Sequence, residues 1–209
     1  MTCKLYGFGE SGHTYKVALT LTFAGVEWEP VFVDFFAGET RSPQFRAINV
    51  MGECPVLVDG DETLTQSGMI QTYLAEKTGK LGGQTDAEKR EVLRWLLFDN
   101  HKVSAVAGPV RFLRNFLPEE KRKPDAIAFM QGRLLSALKV LEQHLEGREW
   151  VATDELTIAD LALCSYLYFE EPFGFERPAF PAISAWLDRI AATPGWNHPY
   201  GMLPRALRT

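Results

Sequence analysis

Residues 52–74, "GECPVLVDGDETLTQSGMIQTYL", decide the fold. An apolar run from Cys54 to Val58 meets the turn signal Asp59-Gly60-Asp61, and the chain then returns as a second short strand. At Ser67 the pattern becomes helical, and it stops near Gly79. Upstream, residues 3–8 have strand character and residues 14–24 helical character. Residues 28–35, "WEPVFVDF", add a strand rich in β-branched and aromatic side chains. A β-α-β unit, a hairpin and a helix make an α+β domain over residues 1–78.

Beyond the linker "KTGKLGGQ" the apolar period is helical throughout. "TDAEKREVLRWLLFDNHKVSAV" starts with a capping box, Thr85 with Glu88. Its inward stripe takes in Val92, Trp95, Leu96 and then Phe98 or Asp99. Pro109 is expected to bend or interrupt the path, because it lacks an N–H and clashes with the preceding turn. A second long amphipathic helix occupies residues 125–147. "LTIADLALCSYLYF" (residues 156–169) carries another capping box, Thr157 with Asp160, and a Leu156–Leu161 staple. A last helix opens at Pro181 and ends before Pro194-Gly195. Residues 85–209 therefore make an all-helical second domain.

With 209 residues, 46% of them hydrophobic, the chain has ample material for one domain or two small ones. The net charge is −5, and the bases of "EEKRKPD" are flanked by acids, which argues against a nucleic-acid partner. No run nears the ~18 apolar residues of a membrane span, and "MTCKLYGFGE" lacks the basic-then-apolar order of a signal peptide. Cys3, Cys54 and Cys164 are far apart and form no CxxC. A reduced, cytoplasmic protein without a metal site is the expectation.

Three stretches resemble the glutathione transferase family, and together they reach over nearly the whole chain. Residues 52–74 resemble its glutathione-binding segment: a cis-proline strand, a hairpin, then an amide or acidic residue plus Ser at a helix start. "LTIADLAL" resembles the capping box and staple of its helical domain, and "FPAISAWLDRIAATPGW" its near-terminal helix. The resemblance implies a thioredoxin-like domain followed by a helical bundle, a homodimer, and glutathione as co-substrate. In this setting a cis bond before Pro55 turns the backbone of Cys54 outward, where the cysteinyl unit of glutathione could pair with it like an added strand. Ser67 and Gln66 stand at a helix N-terminus that suits the γ-glutamyl carboxylate.

The thiol of glutathione should then point at the loop "GFGESGHTYKV". Ser11 lies where serine-type members carry their active residue, as a hydrogen-bond donor to the thiolate. A free thiol has a pKa of about 8.5. Lowering it by about two units needs roughly 2.7 kcal/mol, within the range of a charge-assisted hydrogen bond plus a helix N-terminus. By local sequence alone Ser11 is itself the helix cap. Thr14 is an equally good cap, and with the resemblance it is expected to take the cap over and so free Ser11. Tyr6, at the end of the first strand, is the rival donor. His13 joins the glutathione-binding residues, although an imidazole facing water is the plainer arrangement.

Three residues depart from the family pattern. Glu53 stands where many relatives carry Lys or Gln facing the glycyl carboxylate, Met51 replaces a small residue or proline, and Cys54 replaces Val. Cys54 opens a second route, a mixed disulfide with glutathione and hence thiol–disulfide reduction. His101, Arg111 and Phe112 are candidates for the pocket of a small electrophile, with Arg111 expected to pair on the surface. A glutathione-dependent reductase or isomerase, and a non-catalytic binding protein of the same fold, are the alternatives to a transferase.

Overall fold

The computed structural model describes residues 2–207. The chain forms two compact units: residues up to 82 together with the segment from 194 onward, and residues 83–193.

In the first unit the order is β1 (Cys3–Gly7), α1 (Gly12–Ala24), β2 (Trp28–Phe32), α2 (Pro43–Ile48), β3 (Val56–Asp59), β4 (Glu62–Thr65) and α3 (Ser67–Thr78). The strands lie in the order β2-β1-β3-β4. β1 and β2 are parallel, joined by the α1 crossover, and the other pairings are antiparallel. Along β1, Cys3, Leu5 and Gly7 turn inward, and Leu5 sits opposite Leu57 with both fully buried. α1 packs along α3 and against a short last helix, α9 (Pro199–Met202). This mixed sheet with its helices is a thioredoxin-like unit.

One local expectation changes here, and one helix is added in a stretch that has no helical pattern. β2 stops at Phe32, because the chain turns at Asp34, whose Oδ1 accepts the Ala37 N–H at 3.0 Å. The polar stretch around Pro43 is helical: Ser42 Oγ accepts the Phe45 N–H at 3.1 Å, and Pro43 supplies the preset φ of a first helical residue.

The second unit contains α4 (Asp86–Phe98), α5 (Ala105–Arg111), α6 (Pro124–Leu145), α7 (Ile158–Cys164) and α8 (Pro181–Ala191). Both capping boxes form. Asp160 does more than cap: it also accepts the Val151 N–H at 2.9 Å and the Trp186 indole N–H at 3.0 Å, which ties α7 to α8. Burial pushes the Asp160 carboxyl upward against these bonds. Pro109 does not interrupt the path. It lies inside α5, and the helix instead widens into π turns at residues 99–104 and 112–116. α7 ends at Cys164, short of the expected residue 169, where Leu167 N–H bonds Cys164 O in a tighter turn.

The helical domain was expected to run to residue 209, but the segment after Thr193 packs with the first unit. Tyr15 Oη donates to Asn197 O at 2.8 Å, and Gly9 N–H donates to Pro204 O at 2.7 Å.

Candidate active site

The loop between β1 and α1 is shaped by close packing. A Cβ on Gly7 would lie 2.3 Å from Thr14 Cγ2, so only glycine fits against the first turn of α1. Ser11, in extended conformation, is the N-cap: its Oγ accepts the Thr14 N–H at 3.1 Å. The expectation that Thr14 takes the cap is corrected. Thr14 lies fully buried inside the first turn, and its Oγ1 has no partner among the described residues. The cap occupies a lone pair of the Ser11 oxygen and leaves its proton available. Among the described residues nothing accepts that proton.

The sequence and the structure bring the same segments together. The Cys54–Pro55 bond is cis. Among the described residues neither the N–H nor the C=O of Cys54 is paired, because the β1–β3 ladder begins only at Val56. Gln66, the N-cap of α3, makes no side-chain cap, which leaves the amides of Ser67, Gly68 and Met69 without helical acceptors. His13 is not turned to water alone: its Nδ1 lies 3.1 Å from Ser67 Oγ and joins the α1 loop to the start of α3. Burial, then the Lys16 charge, holds the imidazole down to about 3, so it is neutral near pH 7.

Gln66 has φ 68° and ψ 110°, an unfavourable backbone for a residue with a Cβ. Its Nε2 donates to Glu53 Oε2 at 3.2 Å and lies 3.0 Å from Met51 Sδ. Glu53 is thus tied to the amide beside it. Cys54 packs with Tyr6 against Val33, Phe45 and Val56. Burial, reinforced by Glu39, pushes its thiol up to about 12.

In the second unit His101 is exposed and Phe112 half-buried. Arg111 is not a surface residue. It is 1% exposed, donates to Glu171 Oε2 at 2.9 Å, and lies with its guanidinium carbon 3.6 Å from the Phe169 ring centroid. The two other acids that matter were missed in the sequence. Glu171 has no local signal, and Glu10 is engaged by residues almost two hundred positions away.

The first unit is a thioredoxin-like domain that, among the described residues, leaves the Cys54 backbone, the N-terminus of α3 and the Ser11 proton without partners. Residues 1–76 match the glutathione S-transferase N-terminal domain, and residues 103–194 the C-terminal domain. Glutathione S-transferase 3 of Zea mays is 35% identical, over 96% of this chain and 94% of its own length. A glutathione S-transferase structure from Xanthobacter autotrophicus is 34% identical with a TM-score of 0.86, covering 94% of this chain and 96% of that one. A glutathione transferase from Burkholderia graminis, solved with two glutathione molecules bound per subunit, is 28% identical with a TM-score of 0.83 over 93% of this chain and 85% of that one. The chain belongs to the glutathione S-transferase family, and it is a transferase by that class.

Proposed function

We propose that this chain binds glutathione on its first unit and activates the thiol through Ser11 for attack on a small electrophile. The observation that carries the reading is the Ser11 hydroxyl, which caps α1 through its oxygen while its proton stays uncommitted. The His13–Ser67 link supports it by joining the thiol loop to the helix start that suits the γ-glutamyl carboxylate. Cys54, with both backbone groups unpaired, suits the cysteinyl unit as an added strand.

In this mechanism the glutathione thiol gives its proton to solvent water while Ser11 donates a hydrogen bond to the sulfur, and the positive end of α1 adds to that stabilisation. The thiolate then attacks the electrophilic carbon and displaces the leaving group. Ser11 forms no covalent bond. Cys54 is disfavoured as a nucleophile, since burial and then Glu39 push its thiol up to about 12 and hold it protonated at pH 7. That observation favours conjugation over thiol–disulfide exchange. Tyr6 is packed in the core cluster with Cys54, which favours a structural role for it.

His101 and Phe112 are assigned to the electrophile. Arg111 supports that helix from within through Glu171 and Phe169. The same reading includes a cytoplasmic detoxification enzyme working as a homodimer. Leu93 and Leu97, one turn apart on α4 and 52% and 61% exposed, offer an apolar face for a second copy. Trp95 is not available for that role, being buried against His144. The test is a thiolate absorbance titration of enzyme-bound glutathione. The bound thiol should ionise about two units below the free one, and Ser11→Ala should abolish most of that shift.

A further inference from the structure

Glu10 immediately precedes the proposed donor and is 4% exposed. Its carboxylate grips the C-terminal segment. Oε2 accepts the Ala206 N–H at 3.0 Å, and Oε1 accepts the Leu207 N–H at 3.1 Å. Arg205 Nε lies 3.5 Å from Oε1, an ion-pair distance, and its guanidinium stacks 4.1 Å from the Tyr200 ring centroid. One residue earlier, Gly9 donates to Pro204 O at 2.7 Å. A Cβ on Gly9 would stand 3.1 Å from Leu203 O and 3.2 Å from Tyr200 Cδ1. Every residue from 203 to 207 therefore meets the two residues that lead into Ser11.

A buried carboxylate is tolerated only where donors compensate its lost hydration. Here two successive amides do so by hydrogen bonds. The Arg205 guanidinium does so by its charge alone, since its Nε makes no hydrogen bond among the described residues. A neutral side chain cannot reproduce this arrangement. A Gln at this position would accept one amide and turn its own N–H toward the other. The loop's backbone is thus fixed from outside, immediately before the residue whose hydroxyl must be aimed. Hydrogen bonds weaken steeply with angle, so the aim of Ser11 decides how much thiolate it stabilises.

We infer that Glu10 is a positioning residue, and that residues 203–207 are part of the thiol-activating apparatus rather than a passive end of the chain. This rests on the reading of Ser11 as thiol donor. Charge and positioning have opposite signs here. Removing a negative charge next to a thiolate lowers the thiol pKa, whereas loosening the donor raises it.

The experiment compares full-length wild type, Glu10→Gln and Gly9→Ala, each loaded with glutathione. Gly9→Ala pushes the same segment by a few tenths of an ångström while keeping the Glu10 charge. Amide exchange at Ala206 and Leu207 should quicken about tenfold in Glu10→Gln. The bound thiolate fraction at pH 7 should fall about tenfold in both variants. With an activated aryl halide, kcat should fall in parallel, with KM for glutathione within about threefold. An unchanged or lowered thiol pKa in either folded variant overturns the positioning role. So does unchanged exchange at residues 206 and 207 in Glu10→Gln. Should Glu10→Gln fail to fold, Gly9→Ala decides on the thiol pKa alone. A wild-type thiol with no depressed pKa is a different failure, since it removes the Ser11 reading itself before the variants are compared.

Discussion

The proposed function gives Ser11 a second job beside the Thr14 cap, on the same oxygen, and substitutions can separate the two. Ser11→Ala loses the Thr14 cap, worth about 1 kcal/mol of stability, or about 2–4 °C in Tm for a chain of this size. It also loses the proton offered to the thiolate. A charge-assisted bond of roughly 1.5–3 kcal/mol corresponds to about one to two units of thiol pKa. Ser11→Asp divides these effects. Aspartate caps as well as serine does, so the Thr14 N–H keeps its acceptor and Tm should stay within about 1 °C of wild type. The donor is gone, however, and a negative charge replaces it. At about 4 Å and an effective dielectric near 20, that repulsion is on the order of 4 kcal/mol.

The thiol pKa should therefore rise further in Ser11→Asp than in Ser11→Ala, although Ser11→Asp is the more stable protein. Ser11→Asn, which caps through its carbonyl and still offers an N–H, should recover part of the shift. The assay is the thiolate absorbance of bound glutathione against pH, with thermal unfolding of the same samples. If activity in the three variants follows Tm instead of donor chemistry, Ser11 is a cap and nothing more. If Ser11→Asp keeps a wild-type thiol pKa, the donor is Tyr6 or a backbone amide.

Cys54 should resist alkylation at pH 8 and gain no glutathione adduct by intact mass after treatment with oxidised glutathione, because its thiol lies near 12; an adduct lost in Cys54→Ser revives the reductase reading. The His13 pKa is depressed in the folded protein, from the ordinary 6.5 to about 3. On acidification the unfolded chain therefore takes up a proton that the folded one refuses. Stability should fall by about 1–2 kcal/mol between pH 7.5 and 5, and His13→Gln should flatten that dependence in urea unfolding. Thr14→Val removes a buried hydroxyl with no partner among the described residues and should stabilise by about 1 kcal/mol in the same measurement; a loss of stability would mean that the oxygen is satisfied in solution.

Patterning made most of the sheet legible, because it is local. The Asp59-Gly60-Asp61 turn fixes the β3–β4 hairpin, and both capping boxes announce their helices within four residues. α2 was not read from the sequence, because the polar composition around Pro43 pointed to a loop and masked the Ser42-Pro43 start signal. The site divides along the same line. Cys54-Pro55 and Gln66-Ser67 came from the resemblance of residues 52–74 to the family's glutathione-binding segment, whereas the fate of a side chain with a distant partner had no such guide. Thr14 and Ser11 are equally good caps in sequence, and only the structure distinguishes them: Ser11 is extended and its Oγ accepts the Thr14 N–H. Arg111 has the sequence of a surface base until Glu171 and Phe169 close over it. Glu10 looked like an ordinary loop acid, since its partners lie at the far end of the chain.

These long-range contacts bear on catalysis through preorganisation. Counting along the loop, Gly9 is held by Pro204, Glu10 by residues 205–207, Ser11 by the amide of Thr14 and by Phe8 O, and His13 by Ser67. Each bond uses a group that could otherwise have turned toward water, and what the loop keeps in reserve is the Ser11 proton. A donor fixed in this way stabilises developing negative charge without reorganising when the thiol ionises, which is where a polar site gains over bulk solvent. The same logic explains why His13 is neutral. A charged imidazole two residues away would also attract the thiolate, but burial, then the Lys16 charge, disfavours that form near pH 7. On the proposed reading, thiolate stabilisation falls on the hydroxyl and the start of α1, and substitutions at Ser11 should outweigh those at His13 in the bound thiol pKa.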